Sequence, residues 1–337
     1  MNNDGKVVVT GGAGFIGSEL VRQLAAEGRP VTVVDNLVNG TASNVEGVGG
    51  VDLRVDDIRD RVAVDQAVDG AEIVYHLACL GVRHSLHDPV ENQDVNAVGT
   101  LTMLLAARDA GVGRFVYVSS SEVYGTAMHV PMSELHPTFP MTVYGAGKLA
   151  GECYTRAFHR SYGYPTVVVR PFNSFGPRSH HEGDSGEVIP KFVLRALAGK
   201  ELVIFGDGTQ TRDFTFVSDT ARGIRAAGVV AAAVGGTFNL GQGTEITVNE
   251  LAETVSAVVG RATRVVHDDD RPGDVLRLYS DSTHAQDVLG FRPTVSLEDG
   301  LRQLLGWYQA SGRSPEELLE AERVRNWVAP DTGTGVP

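Results

Sequence analysis

The 337-residue chain has only two cysteines, Cys79 and Cys153, in apolar or helical contexts with no pairing pattern. A disulfide-stapled secreted scaffold is therefore excluded, and a reduced, cytoplasmic protein is expected. Positive charge is also scarce: 29 Lys and Arg against 42 Asp and Glu leave a net charge of −13. That balance argues against a basic face for nucleic acid. An anionic small molecule remains allowed, because a few arginines and helix ends set the field inside a cleft. No apolar run approaches the ~20 residues of a membrane helix. The N-terminus runs straight into a strand-like segment, so neither a signal peptide nor membrane attachment is expected. There is no internal repeat, and the length suits one large core or two smaller ones.

What the chain does have is a glycine-rich fingerprint in a telling place. Lys6-Val7-Val8-Val9-Thr10 is a short apolar run of the kind that forms a buried parallel strand. Gly11-Gly12-Ala13-Gly14-Phe15-Ile16-Gly17 follows at once, then an amphipathic helical stretch from Ser18 to Leu24. A second strand, Val31–Val34, ends at Asp35, 18 residues beyond Gly17. This strand–turn–helix–strand–acid arrangement is that of a dinucleotide site. Gly11 permits the tight turn, Gly14 lets the backbone approach a pyrophosphate, and Gly17 packs helix on strand. The helix N-terminus adds its positive dipole end. Asp35 is suited to accept from the adenosine ribose hydroxyls and to repel a 2′-phosphate. Asn36-Leu37 supply no arginine to bind one, so the cofactor is expected to be NAD.

Further strand-like runs lie at 51–55, 73–77, 115–119 and 166–170, with helical segments such as 99–110 and 143–162 between them. The fold class is therefore α/β, a Rossmann-type doubly wound parallel sheet. After Pro171 the regularity breaks. Residues 176–186 read as a long polar loop, and helices are expected over 188–198, 248–259 and 314–327. Ser314-Pro315-Glu316-Glu317 has the form of a capping box. The expected division is a NAD-binding domain over 1–172, with 215–240 returning to it. A smaller C-terminal substrate-binding lobe takes 173–214 and 241–327, and 328–337 form a flexible tail.

Tyr144 and Lys148 stand four residues apart, and on a helix such residues share a face. The Lys148 ammonium is then placed to lower the Tyr144 phenol from about 10 towards working pH. Ser120 closes the strand that ends near 119, where ligands bind in a doubly wound sheet. Together they form an oxidation site: Tyr144 removes a hydroxyl proton, Ser120 hydrogen-bonds the reacting oxygen, and Lys148 holds the nicotinamide ribose.

These residues, with Asp57-Ile58, His76-Leu77-Ala78, Asn96-Ala97-Val98-Gly99-Thr100, Ser119-Ser120-Ser121-Glu122-Val123-Tyr124-Gly125, Arg170-Pro171-Phe172-Asn173, Gly206 to Phe214 and Arg271-Pro272-Gly273-Asp274, resemble the extended short-chain dehydrogenase/reductase family in its nucleotide-sugar-modifying branch. The resemblance runs from Val8 to about Gly300. It implies that Phe15, Ile16, Asn36, Asp57, Ile58, Leu77, Ala78 and Asn96 join the NAD site. It also implies that Asn173 and Arg212 contact a nucleoside diphosphate, that Arg271 and Asp274 lie near the nucleoside, and that Val188-Ile189-Pro190 line the base pocket. Arginine suits phosphate oxygens because it binds them in bidentate fashion.

Members of the branch share the oxidation of sugar C4 and differ in the step after it. A 4,6-dehydratase uses an Asp-Glu pair where this chain has Ser121-Glu122, which argues against dehydration. Ser120-Ser121-Glu122 resembles uronate decarboxylases, whereas the approach to Tyr144 and the segment 185–190 resemble epimerases. Arg83, His180 and Ser121 are candidates to receive a C6 carboxylate, and Glu122 to act as acid, base or brace. The expectation is an NAD-dependent 4-epimerase of a UDP-hexose, UDP-glucuronate ahead of UDP-glucose, with UDP-glucuronate decarboxylase as the alternative. A non-catalytic NAD-sensing regulator would not need Ser120, Tyr144 and Lys148. No metal is expected. Helices 99–110 and 143–162 are the candidate interface of a homodimer.

Overall fold

A computed structural model describes residues 5–183, 185–271 and 275–327. Six strands form in order from the alternating apolar runs: β1 (Val7–Thr10), β2 (Val31–Val34), β3 (Val51–Arg54), β4 (Ile73–His76), β5 (Arg114–Val118) and β6 (Thr166–Pro171). Short strands β7 (Asn173–Phe175), β8 (Leu202–Phe205), β9 (Thr211–Arg212) and β10 (Phe214–Phe216) follow. The last three are β11 (Thr237–Leu240), β12 (Ile246–Thr247) and β13 (Val265–Asp268).

Seven of these make one parallel sheet in the order β11-β6-β5-β4-β1-β2-β3. Its central strands are buried on both faces, which is why they read as unbroken Val/Ile/Tyr runs rather than alternating ones. One apolar cluster lies on each face, the first built on Val7, Val9, Leu20 and Ile224, the second on Val8, Val74, Met103 and Phe115. The chain runs outward from β1 to β3 and then crosses back to β4, so β1 and β4 are neighbours whose connections leave in opposite directions. Their carboxyl ends flank a crevice, the place where such sheets bind ligands.

After β6 the chain leaves the sheet, and it returns to it as β11, paired with β6. The helix Val217–Val229 leading to β11 packs on the helix Phe15–Ala26. The remainder forms a lobe of three two-stranded ladders, β7·β10, β8·β13 and β9·β12. Helices Val188–Leu197, Val248–Val259 and Leu297–Ala310 pack around Phe175, Phe192, Leu251 and Leu304 there. Thr247 starts the second of these helices with a capping box.

The expected helix 99–110 forms over Thr100–Asp109, and a wider π-type turn at 94–99 leads into it, where the Asn96 carbonyl takes the Thr100 hydroxyl at 2.7 Å. At the C-terminus, the expected helix over 314–327 ends at Leu318 even though its capping box forms. Tertiary partners claim the backbone beyond it: the Ala321 carbonyl accepts from Gly183 N at 2.8 Å, and the Arg323 carbonyl from Lys191 Nζ at 2.6 Å. Residues 320–327 therefore run as a strap of turns rather than a helix. Among the described residues no helix is long and apolar enough to cross a membrane, and no cluster of His, Cys, Asp and Glu is arranged to hold a metal ion.

Candidate active site

The crevice opens into a cavity of about 910 Å³ that extends from the glycine turn to the second lobe. At the sheet end, β1 turns sharply into its helix through Gly11, whose φ of 68° lies in the left-handed region. A Cβ at Gly17 would lie 2.1 Å from the Gly11 carbonyl oxygen, so only glycine lets the helix sit this close to the turn. Gly14 caps the helix without a side-chain bond and no acid sits in its first turn, so the amide dipoles face the crevice unopposed. Asp35 ends β2 almost fully buried. Its Oδ2 accepts from Ala13 N and its Oδ1 from Leu37 N, each at 2.9 Å. Burial pushes its pKa up, and those two amides oppose the shift. Each oxygen keeps a second lone pair, which suits the paired hydroxyls of a ribose.

Phe15, Ile16, Asn36, Asp57, Ile58, Leu77 and Ala78 line the same end. Asn36 Nδ2 donates to Asp57 at 3.3 Å, and Arg59 grips Asp57 at 2.7 and 3.0 Å. Asn96 is different. It lies behind the wall, where its amide both accepts from Leu80 N and donates to Leu80 O at 2.9 Å, so it braces the loop after β4 and does not line the cavity.

Ser120, Ser121, Glu122, Tyr144 and Lys148 meet midway along the cavity. Thr142 caps the helix Val143–Tyr162 by accepting from Gly145 N at 3.1 Å, which places Tyr144 in its first turn. Ser120 Oγ accepts from Glu122 N at 3.2 Å, and Ser120 pulls the Tyr144 pKa down. The expectation that Lys148 lowers the Tyr144 pKa is not met by this arrangement. Burial pushes Tyr144 well above the ordinary 10.0, Cys79, Glu122 and Glu187 add to the rise, and Ser120 opposes it. The Lys148 ammonium instead donates to the Val118 carbonyl at 2.6 Å and stands 4.9 Å from the centre of the Tyr117 ring. A shared helical face brings the two side chains near each other, but a carbonyl at the end of β5 takes the ammonium.

The second-lobe end is lined by Arg83, Asn173, Val188, Arg212 and Arg271. Asn173 Oδ1 is buried with no hydrogen-bond partner among the described residues, which is the signature of a group awaiting a donor. Arg212 is anchored on the carbonyls of Thr211 and Val275 at 2.8 and 2.7 Å. Asp274 lies outside the described residues. Two charged groups that the sequence reading did not single out as site residues join this end, Glu187 and Lys191. Glu187 is the N-cap of the helix Val188–Leu197 yet makes no capping bond. Burial pushes it up to about 7, against the pull of His180 and Arg83. Burial disfavours a charge on His180 as well, but Glu182 and Glu187 outweigh it and raise its pKa. Lys191 is pushed down to about 8, first by burial and then by nearby arginines. A lysine and an arginine, Lys191 and Arg195, inside the otherwise apolar stretch 188–197 were the available signal for Lys191.

The sequence matches the family described as GDP-mannose 4,6 dehydratase over residues 8–304. It is 36% identical to a UDP-glucose 4-epimerase of Mycolicibacterium smegmatis, over 90% of this chain and 98% of that one. It is 35% identical to a dTDP-glucose 4,6-dehydratase of Streptomyces niveus, over 98% of both. Other relatives are UDP-glucuronic acid decarboxylases. A UDP-glucuronic acid 4-epimerase of Bacillus cereus, solved with NAD and a fluorinated UDP-glucuronic acid, superposes with a TM-score of 0.85 at 29% identity, over 91% of this chain and 99% of that one. The glycine turn, the uncapped helix and Asp35 fit NAD, which the Bacillus cereus structure holds. The chain belongs to the GDP-mannose 4,6 dehydratase family, in the NAD-dependent nucleotide-sugar epimerase and dehydratase branch of the extended short-chain dehydrogenase/reductases.

Proposed function

We propose that the protein is a 4-epimerase of a UDP-hexose, with UDP-glucuronate favoured. The observation that carries this reading is that Tyr144 and Ser120 line one cavity with a dinucleotide crevice at one end and Asn173, Arg212 and Arg271 at the other. NAD, when bound, would supply a hydride acceptor at sugar C4 and a hydride donor for the return. Tyr144 takes the O4 proton and gives it back, Ser120 holds O4, and Lys148 would hold the nicotinamide ribose. Arg212 and Arg271 hold the diphosphate, and Asn173 receives a donor from it or from the sugar.

Glu122 faces the same cavity, but Ser121 precedes it and offers no carboxyl to protonate a leaving hydroxyl at C6, which supports epimerisation over dehydration. Arg83 and His180 are the groups for a C6 carboxylate. Glu187, pushed up to about 7, is protonated often enough at neutral pH to donate to that carboxylate rather than repel it. We place the enzyme in the cytoplasm as a homodimer. The exposed Tyr162 and Val143, at the two ends of one candidate interface helix, support that assembly.

The test is incubation of the purified protein with UDP-glucuronate, followed by mass spectrometry and proton NMR. A product of unchanged mass with an axial C4 hydroxyl establishes the reading. Loss of carbon dioxide replaces it with a decarboxylase. Conversion of UDP-glucose alone overturns the assignment of Arg83 and His180 to a carboxylate.

A further inference from the structure

The family match ends at residue 304, yet Glu322, Val324, Asn326 and Trp327 line the cavity. They belong to the strap that replaces the expected C-terminal helix. Tertiary bonds hold it across the mouth of the second lobe. Beyond the two made by the Ala321 and Arg323 carbonyls, Arg195 pairs with Glu322 at 2.8 Å, and Asn326 Nδ2 donates to the Gly186 carbonyl at 2.9 Å. Asn326 is only 3% exposed, so this end of the strap is built into the lobe rather than laid on it.

Lys191 and Arg195 commit hydrogen bonds to the strap, and Arg212 and Arg271 line the cavity with them. Trp327 stands edge-on to Phe205, with ring centroids 4.4 Å apart at 89°, and both rings line the cavity. An aromatic corner next to two arginines matches a flat base joined to a diphosphate.

We propose that residues 321–327 form one wall of a nucleoside diphosphate site, with Trp327 and Phe205 as the corner that receives the base. This rests on the nucleotide-sugar reading above, and it assigns recognition of the base to a segment outside the family match. Arg195 and Lys191 hold the wall closed, and Arg212 and Arg271 take the diphosphate.

The chain has only two tryptophans, and Trp307 packs on the lobe core, so Trp307→Phe leaves Trp327 as the sole indole reporter. In that background, titration with UDP is expected to change Trp327 emission saturably, with the midpoint that calorimetry gives. Trp327→Ala is expected to weaken UDP binding about tenfold while NAD binds as before, and Trp327→Phe to restore most of the loss. Retention by Phe separates stacking on the base from collapse of the strap. Emission that stays flat while calorimetry records saturation overturns the proposal, as does an alanine variant that binds UDP like the parent. In those cases UDP-sugar turnover by the parent still stands. If calorimetry finds no UDP binding to the parent, the nucleotide-sugar reading fails first and the wall with it.

Discussion

The helix that carries Tyr144 and Lys148 is clamped to β6 by one buried ion pair, and breaking it should be strongly destabilising. Arg170 Nε and Nη2 hold the two oxygens of Glu152 at 2.8 and 2.6 Å, with Glu152 fully buried and Arg170 nearly so. Glu152 lies one turn beyond Lys148, and Arg170 lies three residues before Asn173. The pair therefore couples the base-bearing helix to the strand that leads into the substrate lobe. Glu152→Ala leaves a guanidinium with only the Tyr124 hydroxyl, at 2.7 Å, and the Glu134 carbonyl, at 3.3 Å. Removing one partner of such a pair costs about 3–5 kcal/mol, which is roughly two to four orders of magnitude in the folding constant. Replacing both with apolar groups is close to neutral. Urea unfolding of Glu152→Ala, Arg170→Met and Glu152→Leu/Arg170→Met is the assay.

Each single variant should lose about 3–5 kcal/mol and the double much less than the sum, with turnover falling in the singles as the helix loosens. Additive losses, or singles within about 1 kcal/mol of the parent, would refute the coupling. The pH dependence supplies a second check. Burial works to raise the Glu152 pKa, but Arg170 outweighs it and holds the carboxyl below its ordinary 4.5. A depressed carboxylate stabilises the fold above its unfolded pKa. The contribution is therefore present above about pH 4.5 and is lost as the pH falls below it. The double variant should lack that acid limb.

Tyr144→Phe should cut turnover by about 10²–10⁴ while NAD and UDP still bind by calorimetry, and a loss under tenfold would remove Tyr144 as the proton carrier. Because burial raises its pKa well above 10.0, kcat/KM of the parent should climb through neutral pH rather than plateau. Glu187 gains its charge as the pH rises through about 7, so KM for UDP-glucuronate should rise several-fold from pH 6 to 8 and KM for UDP-glucose stay flat. Glu187→Gln should abolish that difference, and a slope surviving in the variant would assign it elsewhere. Asp35→Asn should weaken NAD by about tenfold and narrow its preference over NADP, as read by cofactor fluorescence titration.

Much of the sheet was legible because strands buried on both faces must be continuously apolar, and the glycine turn because its backbone tolerates no side chain. Val31–Val34 and Val143–Tyr162 form over the spans that their patterns predict. Where the pattern misled, a tertiary partner displaced a local one. The capping box at Ser314 starts a helix, but Lys191 and Arg195 capture the strap before a second turn closes. Asn96 sits in a family-like motif, and the loop after β4 uses both ends of its amide.

The sequence by itself determined the period and length of the elements, the glycine turn with its acid at the end of β2, and the spacing that puts Tyr144 and Lys148 on one helical face. Those are local properties, set by backbone sterics and by which residues shun water. Only the tertiary structure decided what each charged group feels. It turned the Lys148 ammonium to Val118, buried Tyr144 among carboxylates, brought Glu187 to the wall facing Arg83, and carried Trp327 from the far end of the chain to Phe205. Desolvation and Coulomb terms depend on distance in space, and no spacing along a chain encodes them.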